Sequence, residues 1–239
     1  MASFWLENDE VCSDKNLSIF DECQTQVIRR GLEKGLGVGI YAKPEFNEYQ
    51  MEQIRLGLEH GIDVRIYAKP EFNEKQMREI RLGLEHMVDV SVYAKPEFDS
   101  DQMKEIYLGL VDDLDVSVYA NSEFDAYKMQ LVRFGLEYGV DVKIYAKPEF
   151  DAGQMEQILF GLEHKVDAKI YAKSEFDSFQ MGQIRLGLEH GVDVNKLCEP
   201  ECDKHKMKEI RKDLERMLHT SESKSDKKTE TSSINVFEG

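Results

Sequence analysis

Apolar residues return along this chain at a fixed interval. Tyr41, Phe46, Met51, Ile54 and Leu58 are followed 26 positions later by Tyr67, Phe72, Met77, Ile80 and Leu84, and again by Tyr93, Phe98, Met103, Ile106 and Leu110. The motif Tyr-Ala-x-x-Glu-Phe opens six copies, at Tyr41, Tyr67, Tyr93, Tyr119, Tyr145 and Tyr171. A period of this length marks a tandem array, in which each unit stacks on its neighbours instead of around one central core.

Within each copy the pattern predicts two elements. Met51, Ile54 and Leu58 have helical spacing, and a capping residue precedes each such run: Asn47, Asn73, Asp99, Asp125, Asp151, Asp177 and Asp203. Gln50, Gln76, Gln102, Gln154 and Gln180 stand three residues after those caps, as a capping box requires. The spacing therefore predicts an α-helix over residues 47–60 and its equivalents, with Phe46 clamping its start. The short segment Asp63-Val64-Arg65-Ile66-Tyr67-Ala68 alternates apolar and polar residues and is rich in β-branched ones, which suits a strand. Against that, Asp63 is a good cap, Val64 meets Tyr67 and Ala68 at helical spacing, and Pro70 follows where a helix should stop. The last copy tips the balance, because it places Lys196 at the Ile66 position while keeping Val194 and Leu197.

The predicted fold is an all-α solenoid of one long and one short helix per repeat. The alternative is a leucine-rich-repeat-like α/β solenoid, with Val64 and Ile66 on a short parallel strand. A degenerate first copy holds Phe20, Asp21, Gln24, Ile28 and Gly31, and a last copy has Leu197-Cys198 in place of Tyr-Ala. Eight long segments and seven short ones result. This divides the chain into an N-terminal cap segment at 1–19, a repeat region at 20–217 and a polar tail at 218–239 that should be disordered.

A glycine column runs through the long helices: Gly31, Gly57, Gly83, Gly109, Gly135, Gly161 and Gly187. Glycine inside a helix costs about 1 kcal/mol relative to alanine, so its recurrence implies close approach of an aromatic ring from the neighbouring unit. In the final copy Lys212 and Asp213 occupy the Leu-Gly positions, and Arg30 stands beside the first glycine. Polar residues at both ends are what terminal repeats need.

The motif resembles repeats of uncharacterised bacterial and phage proteins that carry Tyr-Ala-x-Pro-x-Phe-x-x-x-Gln-Met-x-x-Ile-Arg-x-Gly-Leu units in tandem. The resemblance covers residues 20–217 and implies no activity. Similarity of form to armadillo and HEAT solenoids implies binding, by analogy alone.

Composition narrows the partner. The chain has 239 residues, 33% of them charged, with a formal net charge of −16. Such a surface disfavours nucleic acid and anionic membrane and favours a basic or neutral protein. No signal-like segment or spanning run is visible, so a cytoplasmic protein is expected.

Among the repeated columns, the tyrosines read as packing between units in preference to an aromatic ladder for a ligand. Glu45, Glu71, Glu97, Glu123, Glu149, Glu175 and Glu201 suit the helix dipole. Arg29, Arg55, Arg81, Arg133, Arg185 and Arg211, interrupted by Tyr107 and Leu159, read as a surface ion-pair ladder with acids such as Glu59 and Asp63. His60, His86, His164 and His190 read as solvated helix ends. Partner specificity is expected where the copies differ. The candidates are Tyr49, Lys75, Asp101, Tyr127 and Phe179 near the long-helix starts, and Arg65, Lys143 and Lys169 in the short segments.

Cys198, Cys202 and His205 could ligate a metal, but the two cysteines occupy apolar repeat positions and should be buried. Cys12 and Cys23 lie at the other end of the array, so no four-cysteine zinc site is expected and no cofactor is implied. Nearly every polar group recurs as an array member, and no phosphate loop, Gly-x-Ser-x-Gly or His-Glu-x-x-His occurs, so an enzyme is not expected. Two functions remain: a non-catalytic scaffold for a protein or peptide, and an acidic, anti-CRISPR-like phage inhibitor that mimics nucleic acid against a basic enzyme.

Overall fold

The computed structural model describes residues 17–234, with the side chain of Lys204 and those from residue 221 onward excepted. Most of the expected N-terminal cap segment 1–19, including Cys12, lies outside the described residues, as do the last five residues of the tail. The described residues form eight α-helices alternating with seven short 3-10 helices, and among them there is no strand. The fold is an all-α repeat solenoid.

The chain divides into two compact units, after Met129. The first holds α1 (Glu22–Glu33), α2 (Glu48–Glu59), α3 (Glu74–Glu85) and α4 (Ser100–Val111), with short helices at Val38–Ile40, Val64–Ile66, Val90–Val92 and Val116–Val118. Helix α5 (Ala126–Glu137) begins in the first unit and continues into the second. The second unit also holds α6 (Ala152–Glu163), α7 (Ser178–Glu189) and α8 (Lys204–Ile234), with short helices at Val142–Ile144, Ala168–Ile170 and Val194–Leu197. In the first unit α1, α2, α3 and α4 pack in sequential pairs; in the second, α6 packs on α7 and α7 on α8.

Each long helix has 12 residues up to α7, shorter than the span expected, because Asn47 and His60 are its caps and not its first and last residues. Helix α8 is longer and carries the chain past residue 217. The short segment is a helix because Asp63 accepts from Arg65 N, while Val64 O accepts from both Tyr67 N and Ala68 N. Alternation of Val64 and Ile66 reflects burial: Val64 is 2% exposed and Ile66 only half-buried.

Two repeated bonds join the elements. Each core tyrosine returns to the helix before it: Tyr67 Oη donates to Gln53 O at 3.0 Å and Tyr93 Oη to Glu79 O at 3.0 Å, with Tyr145 on Leu131 O and Tyr171 on Gln157 O in the second unit. The hydroxyl crosses the helix where a glycine leaves room. A Cβ on Gly57 or Gly83 would overlap it. From Gly31 to Gly161 the glycine column thus admits a hydroxyl, and not a ring face, to the backbone; at Gly187, Leu197 stands in the tyrosine place and Val194 comes nearest.

The capping glutamines have a second task that their spacing does not announce. Gln50 Oε1 accepts from Asn47 N and closes the capping box, while its Nε2 donates to Phe72 O, one repeat further on, at 2.7 Å. Gln24, Gln76 and Gln102 repeat this in the first unit, reaching Phe46 O, Phe98 O and Phe124 O. Gln154 and Gln180 do so in the second, reaching Phe176 O and Cys202 O. One amide therefore caps its own helix and fastens the following loop.

Candidate binding surface

The arginine column is buried at Arg55, Arg81, Arg133 and Arg211, half-buried at Arg185 and superficial only at Arg29. Arg55 and Arg81 are 6% and 8% exposed. Arg55 pairs with Glu52 and Glu59 at 2.7 Å, and Arg81 with Glu85. Asp63 is not a partner of this column; it bonds Arg65 two residues away at 2.7 Å. The burial follows from direction, because Arg81 Nε reaches back to Gln53 Oε1 at 3.2 Å on the preceding helix. In the second unit Arg185 and Arg211 reach Gln157 and Gln183 in the same way.

The histidines belong to the same ladder, although they were expected to be solvated only. His60 Nδ1 lies 2.7 Å from Glu85, one helix on; His164 and His190 lie 2.6 Å from Glu189 and Glu215. Burial alone would raise the carboxyl pKa of Glu85, Glu189 and Glu215, but the bonds from histidine and arginine outweigh it and hold each below the ordinary glutamate value. Among the described residues no buried side-chain nitrogen or oxygen lacks a partner.

Two helices break the ladder. In α4, Tyr107, Val111 and the following Asp112 replace arginine, glutamate and histidine. His86 turns to the Tyr107 hydroxyl at 3.1 Å, and Met87 beside it is 91% exposed. With no arginine at 107, buried Glu79 keeps Arg78 at 3.2 Å as its ion-pair partner among the described residues, and desolvation raises its pKa. In the second unit Leu159 replaces the arginine of α6, and Tyr138, 58% exposed and stacked on Phe134, takes a histidine position.

The expected site residues occupy two separate columns. Tyr49, Lys75, Asp101 and Tyr127 are exposed second residues of their helices, with Tyr49 62% accessible. Phe179 is half-buried and its ring lies 6.1 Å from that of His205. Arg65, Lys143 and Lys169 are exposed midpoints of short helices, and Arg65 is already engaged by Asp63. Tyr49 walls a groove of about 240 Å³ between α1 and α2, together with Cys23, Arg30 and Glu52. Sequence reading passed over Met87, Val111, Tyr138 and Phe160, all exposed. For three of them a signal was present, since Met87, Val111 and Tyr138 depart from the glycine, glutamate and histidine usual in their columns.

The glutamate column before the helices is exposed throughout. Among the described residues, nothing forms a hydrogen bond or ion pair with the side chains of Glu45, Glu71, Glu97, Glu149 and Glu175. Their lysine neighbours lie instead near phenylalanine rings, as Lys69 does at 5.9 Å from Phe72.

Cys198 and Cys202 are half-buried, not fully buried as the apolar reading expected; the alanines at the Cys198 position are half-buried in the other copies as well, whereas the phenylalanines at the Cys202 position, from Phe46 to Phe176, are buried. Among the described residues no group of histidine, cysteine, aspartate or glutamate is arranged to hold a metal, and no helix is long and apolar enough to cross a membrane. Comparison of the chain with family models, with curated proteins and with solved structures returns no match.

Proposed function

We propose that the chain is a non-catalytic repeat scaffold that binds a protein or peptide through side chains standing outside the repeat pattern. One observation carries this reading. The polar groups that recur are largely consumed by the array itself, as tyrosine hydroxyls on carbonyls, glutamine fasteners and arginine–glutamate pairs, whereas aromatic and apolar exceptions such as Tyr49, Tyr127 and Tyr138 are exposed. Exposed aromatics on rigid helices suit binding, since such anchors dominate interface energetics.

A second reading, an acidic nucleic-acid mimic of the phage-inhibitor kind, draws on the unpaired glutamate row. Spacing ranks it lower. Packed helices lie roughly 8–10 Å apart, whereas one strand advances about 3.4 Å along the helix axis per phosphate, so one glutamate per repeat gives less than half the linear charge density of one strand. The test is affinity capture on the full chain in an extract of its native host, repeated with Tyr49→Ala/Tyr127→Ala and across a salt series. A partner lost with the tyrosines and retained at high salt supports the scaffold; one indifferent to the tyrosines and released steeply by salt supports the mimic.

A further inference from the structure

The ladder carboxylates of the second unit are Glu137, Glu163, Glu189 and Glu215, at one position of α5, α6, α7 and α8. Three hold a cation four residues upstream, from Arg133, Arg185 and Arg211. Glu189 and Glu215 also hold the histidine of the preceding helix. Glu163 holds neither. Leu159, 3% exposed, stands in the arginine place and Tyr138 in the histidine place. Among the described residues no hydrogen bond or ion pair engages the Glu163 carboxylate.

A second, independent departure falls in the same place. The aspartates that cap the short helices at Val64–Ile66, Val90–Val92, Val116–Val118, Ala168–Ile170 and Val194–Leu197 all accept a backbone N–H through their side chains. Asp141, the cap of Val142–Ile144, makes no such bond. Asp141 and Glu163 line one cleft of about 530 Å³, with Tyr138 and Val140 as apolar wall and Lys165 as the single lining cation. The lining therefore carries one negative charge in excess, two uncommitted carboxylates and an exposed aromatic ring.

We infer that this cleft takes an arginine side chain from a partner protein, which supplies the cation that the ladder omits. A guanidinium forks onto carboxylates in a plane and stacks on an aromatic face, so Glu163, Asp141 and Tyr138 match its donors and its π-surface together. A lysine ammonium lacks the planar fork. A calcium ion needs about six to eight oxygens and gains nothing from an aromatic wall. The inference rests on the scaffold reading and gives one of its contacts a chemistry.

The test uses a doubly capped Gly-Arg-Gly peptide, titrated into the full chain and followed by backbone amide NMR, with lysine and citrulline versions alongside. Saturable shifts at Tyr138, Asp141 and Glu163 are expected with arginine, weaker ones with lysine and none with citrulline. Glu163→Gln should weaken binding about tenfold, the scale of one charge-assisted hydrogen bond. Glu189→Gln, at a carboxylate already occupied, should leave it unchanged. Leu159→Arg, which restores the residue that other copies bury at this position, should abolish it. Absence of shifts in the cleft, equal response to lysine and arginine, or equal loss in Glu163→Gln and Glu189→Gln overturns the inference. If the arginine arm fails while capture through Tyr49 and Tyr127 succeeds, the cleft assignment alone falls.

Discussion

The hydroxyl of Tyr171 occupies the space in which Gly161 would carry a Cβ, and it donates to Gln157 O at 3.1 Å across the same gap. Gly161→Ala should therefore destabilise the chain by about 1–3 kcal/mol of overpacking, despite the roughly 1 kcal/mol that alanine gains over glycine in a helix. Tyr171→Phe removes the obstructing oxygen and leaves the ring carbon 3.1 Å from the new methyl, so the double variant should recover part of the loss. At Gly83 the matching pair, Gly83→Ala with Tyr93→Phe, should recover less, because Val90 Cγ1 still stands 2.7 Å away. Urea denaturation of the two double-mutant cycles checks this; equal recovery at both sites would refute the steric account.

Gln76 distinguishes a cap from a fastener. Its Oε1 accepts from Asn73 N at 2.9 Å and its Nε2 donates to Phe98 O at 2.6 Å. Gln76→Glu keeps the first bond and sets a carboxylate against a carbonyl oxygen in the second. We expect a loss of about 1–3 kcal/mol at neutral pH, even though glutamate is a standard capping-box residue. The protonated acid can donate, so its folded pKa is raised and the deficit should shrink as pH falls through that value. A neutral effect at pH 7 would mean that the bond to Phe98 carries no weight.

Alkaline stability should be governed by the tyrosine core. Desolvation raises the pKa of Tyr41, Tyr67, Tyr93, Tyr145 and Tyr171 well above the ordinary 10.0. A raised folded pKa gives stability that is complete below the unfolded pKa and lost as pH rises beyond it. Unfolding should therefore set in above about pH 10, with these phenols ionising only as helicity disappears. Parallel titration by tyrosinate absorbance and circular dichroism is the check, and complete ionisation with helicity intact would contradict it.

Acid acts on the ladder in the opposite sense. The carboxyl pKa values of Glu85, Glu189 and Glu215 are held below the ordinary 4.5, so their contribution is present above that value and lost as pH falls below it. Glu189→Gln should be less stable than the parent at neutral pH, and the difference should narrow on acidification. A difference independent of pH would mean that ionisation of Glu189 plays no part.

The array was legible because its signals are local or periodic. Asn47 followed by Gln50 announces a helix start, and a glycine repeated inside helices announces a close approach. What could not be read was direction. Spacing shows that Gln50 can cap its own helix but not that its remaining amide hydrogens point to Phe72 O, because a period gives register and not the facing surface. The same gap made Arg55 look superficial and His60 look idle. The cleft at Glu163 was visible in the sequence only as two unrelated exceptions, Leu159 and Tyr138. Their connection depends on knowing that the arginine, glutamate and histidine columns meet.

The glutamine fastener also bears on how such a chain can change length. Donor and acceptor recur at the same offset in every copy from α1 to α7 but that of α5, where Lys128 replaces the glutamine, so excising residues 41–66 would bring the amide of Gln24 to Phe72 O in place of Phe46 O, and the hydroxyl of Tyr67 to Gly31 in place of Tyr41. The junction is rebuilt from parts already present. Copy number is then a variable that inheritance can adjust in whole steps without inventing a new interface, and each step shifts the non-repeating side chains relative to one another.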